Sequence, residues 1–255
     1  MNLPATAAPA SVAATTTAPT TAAGPAAPRA DFYTPIHKAL RAFMADTLQR
    51  VGAMDVDDDE ERRATLAQVA QLLDELRGHV GRENLFLHAA LEARRPGSSG
   101  RIAGEHVAHL EHIHNLEDEV QALHDALPAQ RAGFAQRLYG HLAEFIADNL
   151  LHMACEEREH NAALWALYSD AELVEMHDRL VASLTPAELA LTMRWLAVGL
   201  NVQELAGLFR DLQTKAPPEA VRALLDIVQA HLPTPRWARL ARALGLPPVP
   251  GLVEA

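Results

Sequence analysis

The sequence is poor in the residues and segments that mark several common classes of protein. Cys155 is the only cysteine among 255 residues, which excludes an internal disulfide framework and a cysteine-rich metal site. A lone thiol fits a reducing compartment, so we expect a cytoplasmic protein. No run of about 18 consecutive apolar residues occurs, so we expect no membrane-spanning helix.

Aromatic residues and positive charge are also scarce. Aromatics make up 5% of the chain, and the runs of Val, Ile and Tyr that favour strands are almost absent. Ala, Leu, Glu, Gln and Arg are abundant, and all five are good helix formers. We therefore predict an all-α protein. The net charge of −11 argues against nucleic acids and anionic membranes as main partners and favours cations.

Breakers divide the chain into a tail, four long helical stretches and a C-terminal part. The first 30 residues are mostly Ala, Thr and Pro and lack the basic segment of a secretory signal, so residues 1–30 are predicted to be a disordered tail. Long stretches with short connections predict an up-down-up-down four-helix bundle over residues 31–168. The predicted helices are Tyr33–Val51, Arg62–Glu92, Arg101–Leu127 and Gln130–Tyr168.

The C-terminal part has the signals of several shorter helices. Ser169, Thr185 and Asn201 are each followed three residues later by Glu, which is the pattern of a capping box. The pair Pro217-Pro218 is a further helix start. We predict about five short helices in an all-α lobe over residues 169–246, and a tail over 247–255. The lobe shows no ligand cluster, so we interpret it as a packing or self-association surface.

Histidines occupy inward positions on all four predicted bundle helices, and the second and fourth helices each add an inward glutamate. A bundle helix turns inward a seam of residues spaced alternately by three and four. Large aliphatic residues fill most positions of these seams. The candidate ligands on these seams are His37 on the first helix, His79 and Glu83 on the second, His106 and His109 on the third, and His152 and Glu156 on the fourth, where His160 continues the same face one turn on.

These seven side chains predict a metal site. A single core histidine is more often structural, but two carboxylates and five imidazoles in one core are costly to bury without partners. Neutral imidazole and carboxylate are ligands of divalent and trivalent cations. Seven ligands are too many for one four-coordinate zinc and suit two ions of octahedral preference. Nitrogen-rich ligation without a thiolate favours iron, with manganese as the alternative.

The segments PIHKAL, HVGRENLF and LHMACEE resemble the hemerythrin family and its bacterial HHE cation-binding relatives. The family pattern is one His on the first helix, His-x-x-x-Glu on the second, His-x-x-x-His on the third, and His-x-x-x-Glu or His-x-x-x-x-Asp on the fourth. The resemblance covers residues 31–168. It implies a four-helix bundle with a non-haem di-iron centre that takes a small ligand such as O2, peroxide or nitric oxide.

Two positions depart from that pattern. The third helix has His-x-x-His, so His106 and His109 cannot have the usual geometry, and one of them is then an outer or a replacement ligand. The fourth helix offers Glu156 and Glu157. Glu156 lies on the seam, whereas Glu157 lies about 100° further round the helix, so Glu156 is the favoured ligand.

A ferritin-like arrangement is an alternative metal site. It would use Glu111-x-x-His114 and Glu157-x-x-His160, but Glu111 and His114 lie off the seam. Tyr33 is predicted to face inward one turn from His37. Five further histidines are predicted to be solvated; they are His88, His112, His114, His124 and His177.

Three functions follow from this site. The first is a di-iron protein that binds or senses O2, a related small oxidant, or the iron or redox state. The second is a di-iron oxidoreductase that turns over peroxide, nitric oxide or ferrous iron. The third is a structural interaction protein whose polar core binds at most zinc. The sequence leaves open whether the protein is an enzyme.

Overall fold

The computed structural model describes residues 29–247, within which the chain forms nine helices and no strand. The predicted tails, apart from residues 29, 30 and 247, lie outside the described residues. Four long helices are α1 (Thr34–Ala53), α2 (residues 59–94), α3 (Gly100–His124) and α4 (residues 128–167). Five shorter ones are α5 (Asp170–Ala182), α6 (Pro186–Gly199), α7 (Val202–Lys215), α8 (Pro218–His231) and α9 (Thr234–Ala243).

The four long helices form the predicted bundle, because each packs against the next in the chain and α4 returns to α1. Large aliphatic and aromatic residues from the inward seams fill the space between them. The all-α, four-helix prediction is therefore confirmed. Core members from all four helices include Leu40, Phe43, Leu72, Leu76, Ile113, Leu116, Leu142 and Phe145.

Two helices begin at residues other than the predicted ones, one because of an N-cap side chain and the other because of a proline. Helix α2 begins at Asp59, three residues before the predicted start at Arg62, because the Asp58 side chain accepts hydrogen bonds from the amides of Glu60 and Glu61. Acidic residues in a first turn also offset the helix dipole. Pro128, expected to end the third helix, instead begins α4, where its missing N–H costs nothing.

Helices α2 and α4 each contain one π-turn. In α2 the π-turn Glu83–His88 joins Asp59–Arg82 to Ala89–Arg94. In α4 the π-turn Glu156–His160 joins Pro128–Cys155 to Asn161–Leu167. Such a turn accommodates one extra residue, so the side chains after it are rotated by about 100° relative to a continuous α-helix. The predicted helices Arg62–Glu92 and Gln130–Tyr168 contain no such turn, so both π-turns differ from the prediction.

The C-terminal part contains the five short helices that the sequence predicted. Capping boxes at Ser169, Thr185 and Asn201 begin α5, α6 and α7, as expected from the Glu at the third helical position. Helices α6 to α9 share a core of their own. It includes Met193, Leu205, Phe209, Val221, Leu225, Val228 and Leu240.

The C-terminal helices also pack directly on the bundle. Helix α6 lies along α1, where the Trp195 ring stacks on Phe43 with centroids 4.2 Å apart. A side chain at Gly199 would meet the Lys38 carbonyl oxygen at 2.6 Å, so the two backbones touch. Helix α5 closes the end of the bundle through Leu173. None of the described helices is both long and apolar enough to cross a membrane.

Candidate metal centre

Two buried carboxylates lie at the centre of the site. Glu83 is 2% exposed and Glu156 is fully buried. Each is the first residue of a π-turn, one on α2 and the other on α4. An unpaired carboxylate is among the costliest groups to bury, so the surroundings of these two residues indicate what the site holds.

Two histidines approach Glu83 from α1 and α2. Nε2 of His79 lies 3.0 Å from Oε1 of Glu83, one helical turn away, and Nε2 of His37 lies 3.7 Å from the same oxygen. Nε2 of His37 also lies 3.5 Å from Oε2 of Glu156. His37 therefore faces both carboxylates from the first helix.

Two further histidines approach from α3 and α4. Nε2 of His106 lies 3.4 Å from Oε2 of Glu83 and 3.6 Å from Oε1 of Glu156. Nε2 of His152 lies 3.4 Å from Oε2 of Glu156. The two Nε2 atoms are 3.0 Å apart, so the imidazoles point at one small space together with both carboxylates.

Hydrogen-bond acceptors at the edge of the site contact the Nδ1 atoms of three of these imidazole rings. Nδ1 of His37 donates to Glu157 at 3.1 Å, and Nδ1 of His152 donates to Glu105 at 2.9 Å. Nδ1 of His106 lies 2.8 Å from the Asn84 side-chain oxygen. A neutral imidazole that donates through Nδ1 has its lone pair on Nε2. In the neutral rings these contacts place the Nε2 lone pairs in the space between the two central carboxylates, as in metal sites.

The electrostatics of the centre favour positive charge. Burial alone would lower the pKa of His37, but the hydrogen bond to Glu157 and the nearby Glu83 carboxylate outweigh it and raise the pKa to about 9. Burial likewise opposes protonation of His106, whose pKa Glu156 and Glu83 raise to about 9. The central carboxylates thus bind a positive charge strongly.

Neighbouring histidines also outweigh the effect of burial on the pKa values of the two central carboxylates. Burial would raise the pKa of Glu83, but the charge of His79 and the close approach of His106 outweigh it and hold the pKa well below its usual range. The pKa of Glu156 is also lowered, despite burial and the repulsion from Glu83, by His106 and His152. Both groups are carboxylates at neutral pH and available as ligands.

The inner atoms have no aligned hydrogen-bond partner. Nε2 of His37 and His79 and all four oxygens of Glu83 and Glu156 are buried without one, although the nearest nitrogen–oxygen separation is 3.0 Å. Unsatisfied buried polar atoms are rare and costly. Two donors about 2.1 Å from one cation and at right angles are about 3.0 Å apart. The donor set therefore fits metal ions between the carboxylates.

The potential ligand atoms fall into three groups, each within 4.8 Å. Glu83 belongs to two groups, one with His37 and His79 and the other with His106, His152 and Glu156. Glu156 is shared between that second group and a third, with His88 and His160. Each central carboxylate is therefore shared by two neighbouring groups of potential ligands.

The sequence model of the family described as hemerythrin HHE cation binding domain matches residues 30–164, more than half of the chain. The chain belongs to this family. It is therefore a cation-binding protein. A search of curated proteins finds no match. The family match covers the bundle and ends before α5, so the C-terminal lobe of this hemerythrin-domain protein lies outside it.

Six of the seven residues predicted as ligands come together in the hemerythrin domain, and one does not. His109 is buried, with its ring centre 4.7 Å from that of His152, but it joins none of the three groups among the described residues. Of the two candidates on α3, His106 faces the carboxylates. On α4, Glu156 is central, whereas Glu157 contacts the outer nitrogen of His37 and the Arg41 guanidinium at 2.6 Å.

The prediction that His88 is solvated is wrong. His88 is 5% exposed, because the π-turn beginning at Glu83 rotates it toward the bundle interior. His160, which the seam placed inward but which was not chosen as a ligand, is buried beside it. A wheel drawn for a regular helix places His88 on the outer side, because it does not include the π-turn.

The other predicted solvated histidines are exposed, which confirms that part of the prediction. Glu111 and His114 of the ferritin-like alternative also point to solvent, so they cannot form an interior site. Tyr33 is fully buried, as predicted. The exposed histidines are His112, His114, His124 and His177.

Proposed function

We propose that the chain holds two iron ions around Glu83 and Glu156 and uses them to bind or sense O2 or a related small oxidant. Histidines from four helices grouped around two shared, buried carboxylates are the observation that carries this proposal. Nitrogen and oxygen donors without a thiolate favour iron, with manganese as the alternative. The six proposed ligands are His37, His79, Glu83, His106, His152 and Glu156.

Bound iron would supply redox chemistry and a coordination position for a small molecule. The protein's own contribution is to fix the ligands and to keep water out. Glu157, Asn84 and Glu105 orient three of the imidazole rings from outside. Phe145 and other buried apolar residues close the bundle core beside them, which strengthens electrostatic interactions within the site.

Metal analysis of the purified protein tests the ligand assignment. We expect close to two iron or manganese ions per chain, and we expect His79→Ala combined with Glu83→Ala to lose them. The matched control is His112→Ala with Glu111→Ala, an exposed pair on α3, which should retain both ions. Full retention of metal in the His79/Glu83 variant would sink the assignment, and zinc alone would favour the structural alternative.

An oxidoreductase that turns over peroxide, nitric oxide or ferrous iron is the second candidate. The buried polar pair His88 and His160 beside Glu156 favours it, because the reduction of peroxide or nitric oxide consumes protons. Absorption spectra of the reduced protein exposed first to air and then to peroxide separate the two. A stable, reversible oxygen adduct supports binding or sensing, and rapid consumption of peroxide supports an enzyme. The cytoplasm remains the proposed location.

A further inference from the structure

Helices α6 and α7 of the C-terminal lobe are joined to the bundle close to three of the six proposed ligands. Those three ligands are on α1 and α2. Among the described residues, three side-chain contacts join α6 and α7 to the bundle, and all of them end on α1 or α2. The contacts are Lys38 with Glu204, Arg82 with Glu188, and Glu75 with Thr192.

On α2 these contacts lie next to His79 and Glu83. Arg82 is the residue before Glu83, at which the π-turn begins, and Glu75 is one turn before His79. The Arg82 side chain is 15% exposed and folds back along the helix, with one guanidinium nitrogen 3.8 Å from Glu75. A side-chain carbon at Gly78 would meet it at 3.1 Å. The lobe therefore contacts α2 on both sides of the two ligands' common turn.

On α1 the lobe contacts the backbone beside His37. Lys38 follows His37, and a side-chain carbon at Gly199 of α6 would lie 2.6 Å from the Lys38 carbonyl oxygen. Further along α1, Trp195 of α6 stacks on Phe43. Close-packed protein interiors transmit small displacements. A shift of α6 would therefore displace the segment of α1 that carries His37.

The lobe contacts coincide with one of the three groups of potential ligand atoms. That group consists of His37, His79 and Glu83, all on α1 and α2. In the neighbouring group, His106 and His152 are oriented by side chains of the bundle itself. The lobe is therefore placed to support one metal position more than the other.

We propose that the C-terminal lobe fixes the ligands of one metal position, the one formed by His37, His79 and Glu83. This inference rests on the proposed metal centre. Ligands that are held in place before the ion arrives lose less freedom on binding, so the affinity is higher. By linkage, an ion bound at this position strengthens the attachment of the lobe by the same free energy. The positioning residues are Glu188, Thr192 and Glu204.

Two glutamates in equivalent places allow a matched comparison. Glu188 of α6 and Glu172 of α5 each close a capping box and each pair with an arginine of α2. The partner of Glu188 is next to a proposed ligand, whereas Arg94, the partner of Glu172, is the last residue of α2. Glutamine also serves in a capping box, so Glu→Gln at either position removes the ion pair and keeps the helix start.

Anaerobic titration of the metal-free full chain with ferrous iron, in competition with a chelator, measures the affinity for each ion. We expect Glu188→Gln combined with Thr192→Val to weaken one of the two ions about tenfold or more. The control Glu172→Gln should leave both affinities within about twofold. Thr192→Ser keeps the hydroxyl group that Glu75 accepts from, so it should bind both ions as the wild type does.

Amide hydrogen exchange gives a second readout that a purely structural contact would not change. Bound iron should slow exchange in α6 of the wild type, and this slowing should be largely lost in the Glu188→Gln/Thr192→Val variant. If that variant does not fold, Glu188→Gln alone and Glu204→Gln alone decide the question. Weaker binding of one ion in either supports the proposal, and unchanged binding in both overturns it.

Three outcomes reject the proposal in different ways. Equal weakening of both ions in the folded double variant would indicate a general loss of stability. Unchanged affinities in that variant would show that the lobe does not position the ligands. A wild-type protein that binds no metal would refute the proposed centre itself, which distinguishes its failure from that of the positioning role.

Discussion

At the scale of single residues, three of the histidines that face the central carboxylates are oriented by a side chain on their outer side. Glu157 holds His37, Asn84 holds His106, and Glu105 holds His152. Such outer partners fix the ring orientation and the tautomer, and their loss commonly weakens metal binding. Glu157 thus orients the proposed ligand His37, a role that its position next to Glu156 in the sequence does not indicate.

Replacement of Glu157 by Gln should weaken metal binding without changing how many ions are bound. The Gln side chain still reaches His37 but lacks the negative charge that strengthens the hydrogen bond, so we expect a loss of affinity of about 10- to 100-fold. Competition with a chelator measures it. Glu111→Gln, on an exposed position of α3, is the control. An unchanged affinity would contradict the outer role of Glu157.

His106 and His109 should differ sharply on substitution. His106→Ala removes a nitrogen that faces both carboxylates, so we expect the loss of at least one ion per chain. His109 lies outside the groups of ligand atoms, and His109→Ala should keep both ions. Metal analysis of the two variants side by side gives the answer. Equal metal losses would return His109 to the ligand set.

Six of the seven sequence-predicted ligands come together because a heptad seam fixes which side of a regular helix faces inward. His109 is on the same seam, and burial alone did not distinguish a ligand from a neighbour of one. The distinction depends on depth along the bundle axis, where His106 lies level with Glu83 and Glu156 and His109 lies beside Phe145. A seam predicts which side chains point into the bundle, but it does not predict their height along the bundle axis relative to residues of the other helices.

At the scale of helices, capping signals and breakers predicted most of the elements. The capping boxes at Ser169, Thr185 and Asn201 act within four residues, so the sequence contains everything that decides them. The π-turns are different, because their extra residue is accommodated through tertiary contacts at the centre of the bundle. No local pattern in Glu83–His88 or Glu156–His160 marks them.

The connection between α2 and α3 provides a prediction about pH. Glu92 accepts hydrogen bonds from the amides of Gly97 and Ser99, which lower the pKa of its carboxyl from 4.5 to about 2. A depressed pKa means that the carboxylate stabilises the fold above its ordinary pKa, and that this contribution is lost as pH falls from about 4.5 toward 2.

We therefore expect Glu92→Gln to lower Tm by about 2 °C at neutral pH, and the difference from wild type to shrink steadily below pH 5. Thermal unfolding followed by circular dichroism across that range measures it. The control is Glu111→Gln, on an exposed face of α3. A Tm difference that is constant between pH 7 and pH 3 would contradict the assignment.

At the scale of the whole molecule, the C-terminal lobe and the bundle share a tight interface. Helix α6 packs on α1 through Trp195 and Phe43, and Thr192 donates a hydrogen bond to the buried Glu75 of α2 at 3.0 Å. The apolar face of α6 is therefore occupied within the chain. Self-association through the lobe stays a prediction, and it would have to use other surfaces.

Gly199→Ala tests this interface. The new methyl group would lie 2.6 Å from the Lys38 carbonyl oxygen, which forces α6 away from α1, and we expect a loss of about 1–3 kcal/mol in the free energy of unfolding. The control Gly207→Ala adds a methyl group to α7 with no atom within 4 Å and should stabilise by up to about 1 kcal/mol. Urea unfolding measures both, and equal effects would contradict the close contact.

The two π-turns also affect how this chain can be compared with others. The His-x-x-x-Glu segments that identify the family end at Glu83 and Glu156, at the very start of the turns. A related sequence with one residue fewer after either glutamate would keep every identifying motif and the same helix order. Its residue in place of His88 or His160 would nevertheless face another direction. Two proteins can therefore match fully in their motifs and surround the same metal ligands with chemically different pockets.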